Sequence, residues 1–203
     1  MAFFQYGVTE INYLKSRCPK MADAIKGAGM LNREVEPDLF KSLISSIVSQ
    51  QISTKAAKTV FARLEALVGE MHAEAILAKS EDEIQGCGLT YRKVDYIKGI
   101  CEAIRCGELD LEGLAQMSDD KVIAELVKLN GIGVWSAEMF LIFSLHRPDV
   151  LSYGDLIIRK GMMKLHGLES LSKKEFEVYR KLYSPYGTVA SLYLWDLGNE
   201  KKG

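Results

Sequence analysis

The sequence is poor in the residues and patterns that mark several large protein classes. It has only four cysteines and three histidines among 203 residues. The cysteines form no C-x-x-C pair, and the histidines form neither H-E-x-x-H nor a Cys/His cluster, which argues against a zinc site. Such sparse cysteines predict reduced thiols rather than a disulfide framework. The motifs G-x-x-x-x-G-K-[ST], G-x-G-x-x-G and G-x-S-x-G are also absent, which excludes the common NTPase, dinucleotide and hydrolase signatures.

Long hydrophobic runs and an excess of one charge are missing as well. The longest apolar run, Met139 to Phe143, is far shorter than the roughly 20 residues that cross a bilayer. The first residues, MAFFQYGVTE, place no basic stretch ahead of an apolar one. We therefore expect no membrane partner and a cytoplasmic location, associated with the nucleoid if the source is bacterial. With 26 basic and 27 acidic side chains, any polyanion would be bound by a local patch or by backbone groups.

Helix signals are abundant along most of the chain. Pro37 suits a first helical turn, and apolar residues at helical spacing follow a series of capping residues. These caps are Ser53, Thr90, Ser118 and the two capping boxes Ser80 with Glu83 and Ser172 with Glu175. No run of alternating residues indicates a strand. The sequence predicts an all-α fold of about ten helices.

No long linker divides the chain, so we expect a single domain over residues 1–203. Proline and glycine interrupt the helical pattern between Arg147 and Gly154. We place a soft boundary there, with a central helical subdomain at about 37–150. Residues 1–36 together with 151–203 would form a second helical subdomain.

The most informative segment is Leu129 to Ala137, with the sequence LNGIGVWSA. A helix ends at Leu129, two glycines form a tight turn, and another helix begins at once. Backbone N–H groups at such a helix N-terminus, together with the helix dipole, suit a phosphate and bind DNA without reading its sequence. An ordinary turn between two helices that needs two glycines explains the spacing equally well.

One acidic residue stands out after the next helix. Asp155 precedes an apolar helical run in the segment Leu151 to Arg159, LSYGDLIIR. A plain helix N-cap is the commoner role for such an aspartate. Its position one helix beyond the glycine turn could also return a carboxylate to the side of bound DNA.

Taken in order, these segments resemble the helix-hairpin-helix/Gly-Pro-Asp superfamily of DNA base-excision glycosylases, and most closely its alkylpurine branch, the 3-methyladenine-DNA glycosylases. Val48–Ser53 (VSQQIS) and Gly88–Lys93 (GLTYRK) resemble two helix junctions of that family. The glycine turn, Asp155 and Ser184–Gly187 (SPYG) follow in the family's order. The resemblance extends from about Pro37 to the C-terminus. It departs at Asn130 and Gly154, where the family usually has other residues.

The resemblance implies two helical subdomains that flank a cleft, and a catalytic role for Asp155. The target nucleotide would be flipped out of the duplex, with Gln51 as the wedge that fills the gap. Asp155 would stabilise positive charge on the deoxyribose and activate water. The base pocket would be formed by Gln50, Trp135, Met139 and Tyr186, whose aromatic rings suit cationic alkylated purines. Core packing is the alternative for Trp135 and Tyr186, and it is the role expected for Trp195.

The resemblance also implies the remaining contacts. Phosphate-binding groups would be Gly131, Gly133, Val134, Arg92 and Lys93. The backbone carbonyl groups of Val127, Leu129 and Ile132 would bind a structural Na⁺ or K⁺ at the hairpin. No cofactor is expected in catalysis, and an iron–sulfur cluster is excluded because no cysteine follows Cys106.

The expected partner is double-stranded DNA with a damaged base, bound by a monomer. The residue two positions after Gly133 is Trp135 and not the lysine of the lyase branch, so the resemblance implies a monofunctional enzyme that leaves an abasic site. Two other functions remain open from the residues alone. One is a non-catalytic helix-hairpin-helix DNA-binding module, and the other is a glycosylase for another damaged or mismatched base.

Overall fold

The structure, a computed structural model, describes residues 2–199, and that part of the chain contains thirteen helices and two short strands. The predicted all-α class is confirmed. The elements are β1 (Ala2–Phe3), α1 (Val8–Arg17), α2 (Pro19–Ala28), β2 (Glu34–Val35), α3 (Leu39–Ser49), α4 (Thr54–Val68), α5 (Ala73–Leu77), α6 (Glu81–Gly86), α7 (Tyr91–Arg105), α8 (Leu111–Leu114), α9 (Asp119–Leu126), α10 (Val134–Phe143), α11 (Leu156–His166), α12 (Lys173–Tyr183) and α13 (Gly187–Asn199).

Most of the predicted helix starts are correct. The side chains of Ser53 and Thr90 accept hydrogen bonds from the third residue of their helices, and both capping boxes form. Pro37 does not begin a helix as expected. Asp38 is the N-cap of α3, and its Oδ1 accepts from Lys41 N at 3.0 Å. A carboxylate oxygen can bind a free N–H group at a helix start, which proline in a first turn cannot do.

The chain divides into two compact units. The first, from Glu36 to Phe140, is continuous and contains α3 to α9 and most of α10. Its core consists of the apolar faces of these helices, where the least exposed side chains include Ile44, Ile47, Leu64, Ile76, Ile84, Val94, Ile97, Val122 and Leu126. We call it the central unit.

The second unit is built from both ends of the chain, up to Val35 and from Leu141 onward; we call it the terminal unit. Helix α13 is buried from Gly187 to Trp195, and a helix that is apolar on all sides belongs inside a core. Strands β1 and β2 pair antiparallel, Ala2 with Val35 and Phe3 with Glu34. Two-residue strands carry no measurable alternation, which explains why the sequence did not indicate them.

All four cysteines are free thiols; Cys106 is exposed and the other three are buried. Among the helices of residues 2–199, none has the length and apolar character needed to cross a membrane.

Candidate active site and nucleic-acid interface

Asp155 lies at the N-terminus of α11, in the terminal unit. Its Oδ1 accepts hydrogen bonds from the main-chain N–H groups of Ile157 at 2.8 Å and Ile158 at 2.9 Å. Its Oδ2 accepts from the indole Nε1 of Trp195 at 3.1 Å. The residue is only 6% exposed. The N-cap role is therefore correct as local structure, and three donors around a buried carboxyl group also fix its orientation.

Trp195 is part of an aromatic cluster. Its ring stacks on Phe143 with centroids 5.7 Å apart and an interplanar angle of 23°. The guanidinium carbon of Arg33 lies 5.3 Å from the Phe143 centroid and 5.4 Å from the Trp195 centroid. The core role expected for Trp195 is confirmed by its burial. The hydrogen bond to Asp155 adds a second role that residue spacing does not reveal.

Two glycines let α11 and α13 approach closely enough for this bond. A Cβ atom at Gly161 would collide with the carbonyl group of Leu194, and one at Gly198 would collide with the carbonyl oxygen of Ile157. Because both positions lack a side chain, the two backbones pack directly against each other. The indole of Trp195 thereby reaches the N-terminus of α11.

Tyr186 is half-buried, also in the terminal unit. Its ring meets Tyr13 edge-on, with centroids 5.2 Å apart. The SPYG turn in which it lies is held by Asp149, whose Oδ2 accepts from Ser184 Oγ at 2.6 Å and whose Oδ1 accepts from Gly187 N at 3.0 Å. Asp149 thus ties the turn before α13 to the segment that follows α10. The role of Tyr186 in a base pocket stays a prediction.

The glycine turn of the central unit has the expected hairpin form. Gly131 has a φ of +88°, and a Cβ there would collide with the ring of Tyr96. Ile132 N donates to Leu129 O at 3.1 Å, and Ala137 N donates to Gly133 O at 3.0 Å. Gly133 has no positive φ, and no atom lies within 4 Å of its ideal Cβ. Only the first glycine is therefore required by the fold of the turn.

The junction between α3 and α4 is tied to this hairpin. Gln50 Nε2 donates to Gly131 O at 2.8 Å. Gln51 follows at a φ of +59°, and its side chain is exposed. A non-glycine residue in this left-handed region is strained and is enriched at functional sites. The structure thus brings Gln50 to the hairpin and leaves Gln51 as an exposed tip.

Arg92 and Lys93 lie in the first turn of α7, close to the same junction. The ammonium of Lys93 donates to Val48 O at 2.8 Å and to Gln50 O at 2.6 Å, and burial lowers its pKa below the ordinary lysine value. Arg92 lies over the ring of Tyr96, 5.4 Å from its centroid, and its Nε contacts the Tyr96 hydroxyl. Arg92 is exposed, whereas Lys93 is half-buried and bonded to the protein's own carbonyl groups.

The other predicted residues lie on or beside α10. Trp135 is 48% exposed and Val134 is 55% exposed, so neither is a core residue. Met139 is half-buried one turn after Trp135, on the same helix face. Val127 is the C-cap of α9, and Ile132 is buried. Among residues 2–199 no group of three acidic, histidine or cysteine side chains is placed to hold a metal ion.

Comparison with known proteins decides the family. Residues 44–185 match the HhH-GPD superfamily of base excision DNA repair proteins. The chain belongs to this superfamily. The HhH-GPD match ends before Tyr186 and Trp195, and it begins after Arg33.

Three comparisons support the HhH-GPD assignment. DNA-3-methyladenine glycosylase 1 of Schizosaccharomyces pombe is 35% identical over 170 residues, which cover 81% of this chain and 75% of that protein. The crystal structure of a DNA-3-methyladenine glycosidase from Bacillus halodurans has a TM-score of 0.87 and 37% identity, covering 98% of this chain and 93% of the other. The Schizosaccharomyces pombe enzyme in complex with abasic DNA has a TM-score of 0.77 and 30% identity, covering 93% and 96% of the two chains.

Three residues that contact the candidate site do not stand out in the sequence. Spacing predicts packing alone for Trp195 and does not single out Arg33 or Tyr96. The only available signal was their residue type, because each role depends on a contact with a residue far away in the sequence. The sequence shows that these side chains are aromatic or cationic, but it does not show which residues they contact.

Proposed function

We propose that this protein is a DNA glycosylase that hydrolyses the N-glycosidic bond of alkylated purines, of the 3-methyladenine kind, in double-stranded DNA. The single observation that supports it most is the environment of Asp155, a buried carboxylate with three hydrogen-bond donors. The N-cap role accounts for the two main-chain donors, but a module that only binds DNA has no need for a carboxylate that is also held by the Trp195 indole. The names of the similar proteins favour the same substrate class.

In the proposed reaction Asp155 acts on a nucleotide that has been flipped out of the duplex. As the glycosidic bond lengthens, positive charge builds on the deoxyribose, and the fixed negative charge of Asp155 stabilises it. The carboxylate also orients or deprotonates the attacking water. N-alkylated purines carry a positive charge and leave as neutral bases, so no general acid is required.

The central unit would supply DNA binding. Main-chain N–H groups at the start of α10, after Gly131 and Gly133, would bind a phosphate, and the open space at Gly133 would let the DNA backbone approach. Exposed Arg92 would add a charged contact. Gln51 would occupy the gap left by the flipped nucleotide, and Trp135 with Met139 would stack on the base.

We also propose a structural Na⁺ or K⁺ at the hairpin. Val127 and Leu129 come directly after α9, where carbonyl groups carry the negative end of the helix dipole, and Ile132 closes the turn. Carbonyl oxygens are ligands that suit hard cations of this kind. The ion would help to join the hairpin to a phosphate.

We further propose that the enzyme is a monomer, that it is monofunctional and that it acts in the cytoplasm. Trp135 has no amine that could attack C1′, so water would be the nucleophile and an abasic site the product. The deciding experiment incubates the protein with methylated duplex DNA and identifies the released bases. Release of 3-methyladenine or 7-methylguanine by the wild type, but not by Asp155→Asn, is expected. DNA binding without release of any base would favour a binding module, and release of oxidised bases alone would move the protein to another substrate class.

A further inference from the structure

Helix α7 connects the two parts of the central unit that are proposed to contact DNA. Lys93 donates to the carbonyl oxygens of Val48 and Gln50 at the end of α3. One helical turn later, the ring of Tyr96 occupies the space beside Gly131 in the hairpin. The side-chain bond from Gln50 to Gly131 O completes this set of contacts, which we call the circuit. The side chains of Lys93, Tyr96 and Gln50 thus join the junction before Gln51 to the hairpin.

The charge of Lys93 suits its partners. Carbonyl groups in the last turn of α3 lack helical N–H partners and carry the negative end of the dipole. An ammonium group with two such bonds, at 2.8 and 2.6 Å, satisfies them. Its burial makes the contact a specific one rather than that of a solvated surface lysine.

Gln51 is the residue that this contact restrains. Its backbone adopts φ +59° without the freedom of glycine, and such a conformation persists only where the surroundings hold it. Lys93 binds the carbonyl of the residue directly before it, Gln50. The lysine therefore fixes the peptide group through which the chain turns into Gln51.

We propose that Lys93 is a positioning residue for base flipping, which holds Gln51 in its wedge conformation and joins the wedge to the hairpin. This proposal rests on the wedge role proposed above for Gln51. It departs from the role in phosphate binding that the family resemblance implies for Lys93. In the proposed role, Lys93 contributes to the step that opens the base pair and not to general affinity for DNA.

The test compares Lys93→Met, which keeps the apolar stem, with Lys93→Arg, which keeps donors and charge. Lys121→Met is the matched control, because it removes one exposed lysine of the central unit outside this circuit. Single-turnover excision is measured for a lesion in fully paired duplex DNA and for the same lesion in an unpaired bubble. The affinity for undamaged duplex DNA is measured over a range of salt concentrations.

We expect Lys93→Met to slow excision from paired DNA about tenfold or more, since two bonds from a charged donor are lost. Excision from the bubble, where no pair must be opened, should change by less than about twofold. Lys93→Arg should recover most of the rate, and Lys121→Met should behave as the wild type. The salt dependence of binding should be the same for all variants.

Three results would overturn the proposal. Equal losses on paired and unpaired DNA would show that the lysine has no special part in flipping. No loss on either substrate would show that it is dispensable. A salt slope reduced by about one unit would identify a phosphate contact. If Lys93→Met is unfolded at the assay temperature, Lys93→Gln replaces it with the same expectations. A wild type that excises no base from either DNA would instead contradict the proposed function itself.

Discussion

The indole Nε1 of Trp195 donates a hydrogen bond to Asp155 Oδ2, across the close contact of α13 with α11. The bond joins the candidate catalytic carboxylate to a residue outside the span matched by the superfamily. Trp195→Phe should keep the stack on Phe143 and remove only the N–H donor. Because a hydrogen bond to a charged group contributes about 1.5–3 kcal/mol, we expect excision to slow by one to two orders of magnitude. Single-turnover rates with saturating protein would measure this, and an unchanged rate would make Trp195 a packing residue only.

Replacement of Asp155 by asparagine tests the chemistry more directly. The asparagine Oδ1 can still cap α11, but its amide would face the Trp195 N–H, so two donors would oppose each other. We expect excision to fall by about two to three orders of magnitude, with a loss of about 1–3 kcal/mol in unfolding free energy. The double variant Asp155→Asn with Trp195→Phe should regain stability in thermal unfolding and remain inactive. Near wild-type excision by Asp155→Asn would contradict the mechanism.

The two hairpin glycines form a matched pair. Gly131→Ala should destabilise the protein, by about 1–3 kcal/mol for the positive φ and more for the collision with Tyr96. Gly133→Ala meets no neighbouring atom and should unfold like the wild type. It should nevertheless bind every DNA sequence more weakly, because only a phosphate contact is affected. Thermal unfolding and equilibrium binding separate the two effects, and a fully stable Gly133→Ala with wild-type affinity would place the hairpin away from DNA.

Acid should destabilise the terminal unit through His166. Burial, and to a smaller extent the charge of Lys20, lower the pKa of His166 to about 4 from an ordinary value of 6.5. The ring stacks on Tyr179, and its Nε2 lies 2.8 Å from the Tyr183 hydroxyl. Between these two pH values the unfolded chain binds a proton that the folded protein does not, so the unfolding free energy falls as the pH decreases from about 6.5 towards 4.

The corresponding measurement is urea unfolding at several pH values. His166→Gln, which keeps a polar partner for Tyr183, should flatten the dependence between pH 6.5 and 5, where carboxyl groups contribute little. A variant as sensitive to pH in this range as the wild type would assign the effect to another group.

The nucleophile can be identified by chemical trapping. With water as nucleophile, borohydride should trap no covalent protein–DNA adduct, and the strand should stay intact until base or heat is added. An adduct would mean that an amine reaches C1′. Such an adduct would overturn the monofunctional assignment.

Contacts within one helical turn can be predicted from the sequence, whereas contacts between distant residues cannot. Ser53, Thr90 and the two capping boxes act within one helical turn, and their local partners made them predictable. The N-cap role of Asp155 is local in the same sense. The bond from Trp195, 40 positions away, depends on two glycines that bring separate helices together.

Lys93 illustrates the limit most clearly. Its positive charge and its place at a family junction predict a phosphate partner, and the structure shows that two carbonyl oxygens at the end of α3 accept its hydrogen bonds. Charge predicts the kind of atom that a side chain prefers. It does not predict whether that atom belongs to a ligand or to the protein, since this depends on where separate helices meet.

The terminal unit is built from both ends of the chain, and this has a consequence for folding during synthesis on the ribosome. The central unit is one continuous stretch, whereas the terminal unit needs both ends of the chain. Domains generally fold as they emerge, the N-terminal parts first. Helices α1 and α2 pack in part against α13, so they cannot complete this packing, and Trp195 cannot reach Asp155, before the last helix has been made. Residues 36–140 are synthesised before α13, so a nascent chain would gain its proposed DNA-binding elements before its proposed catalytic carboxylate is in place.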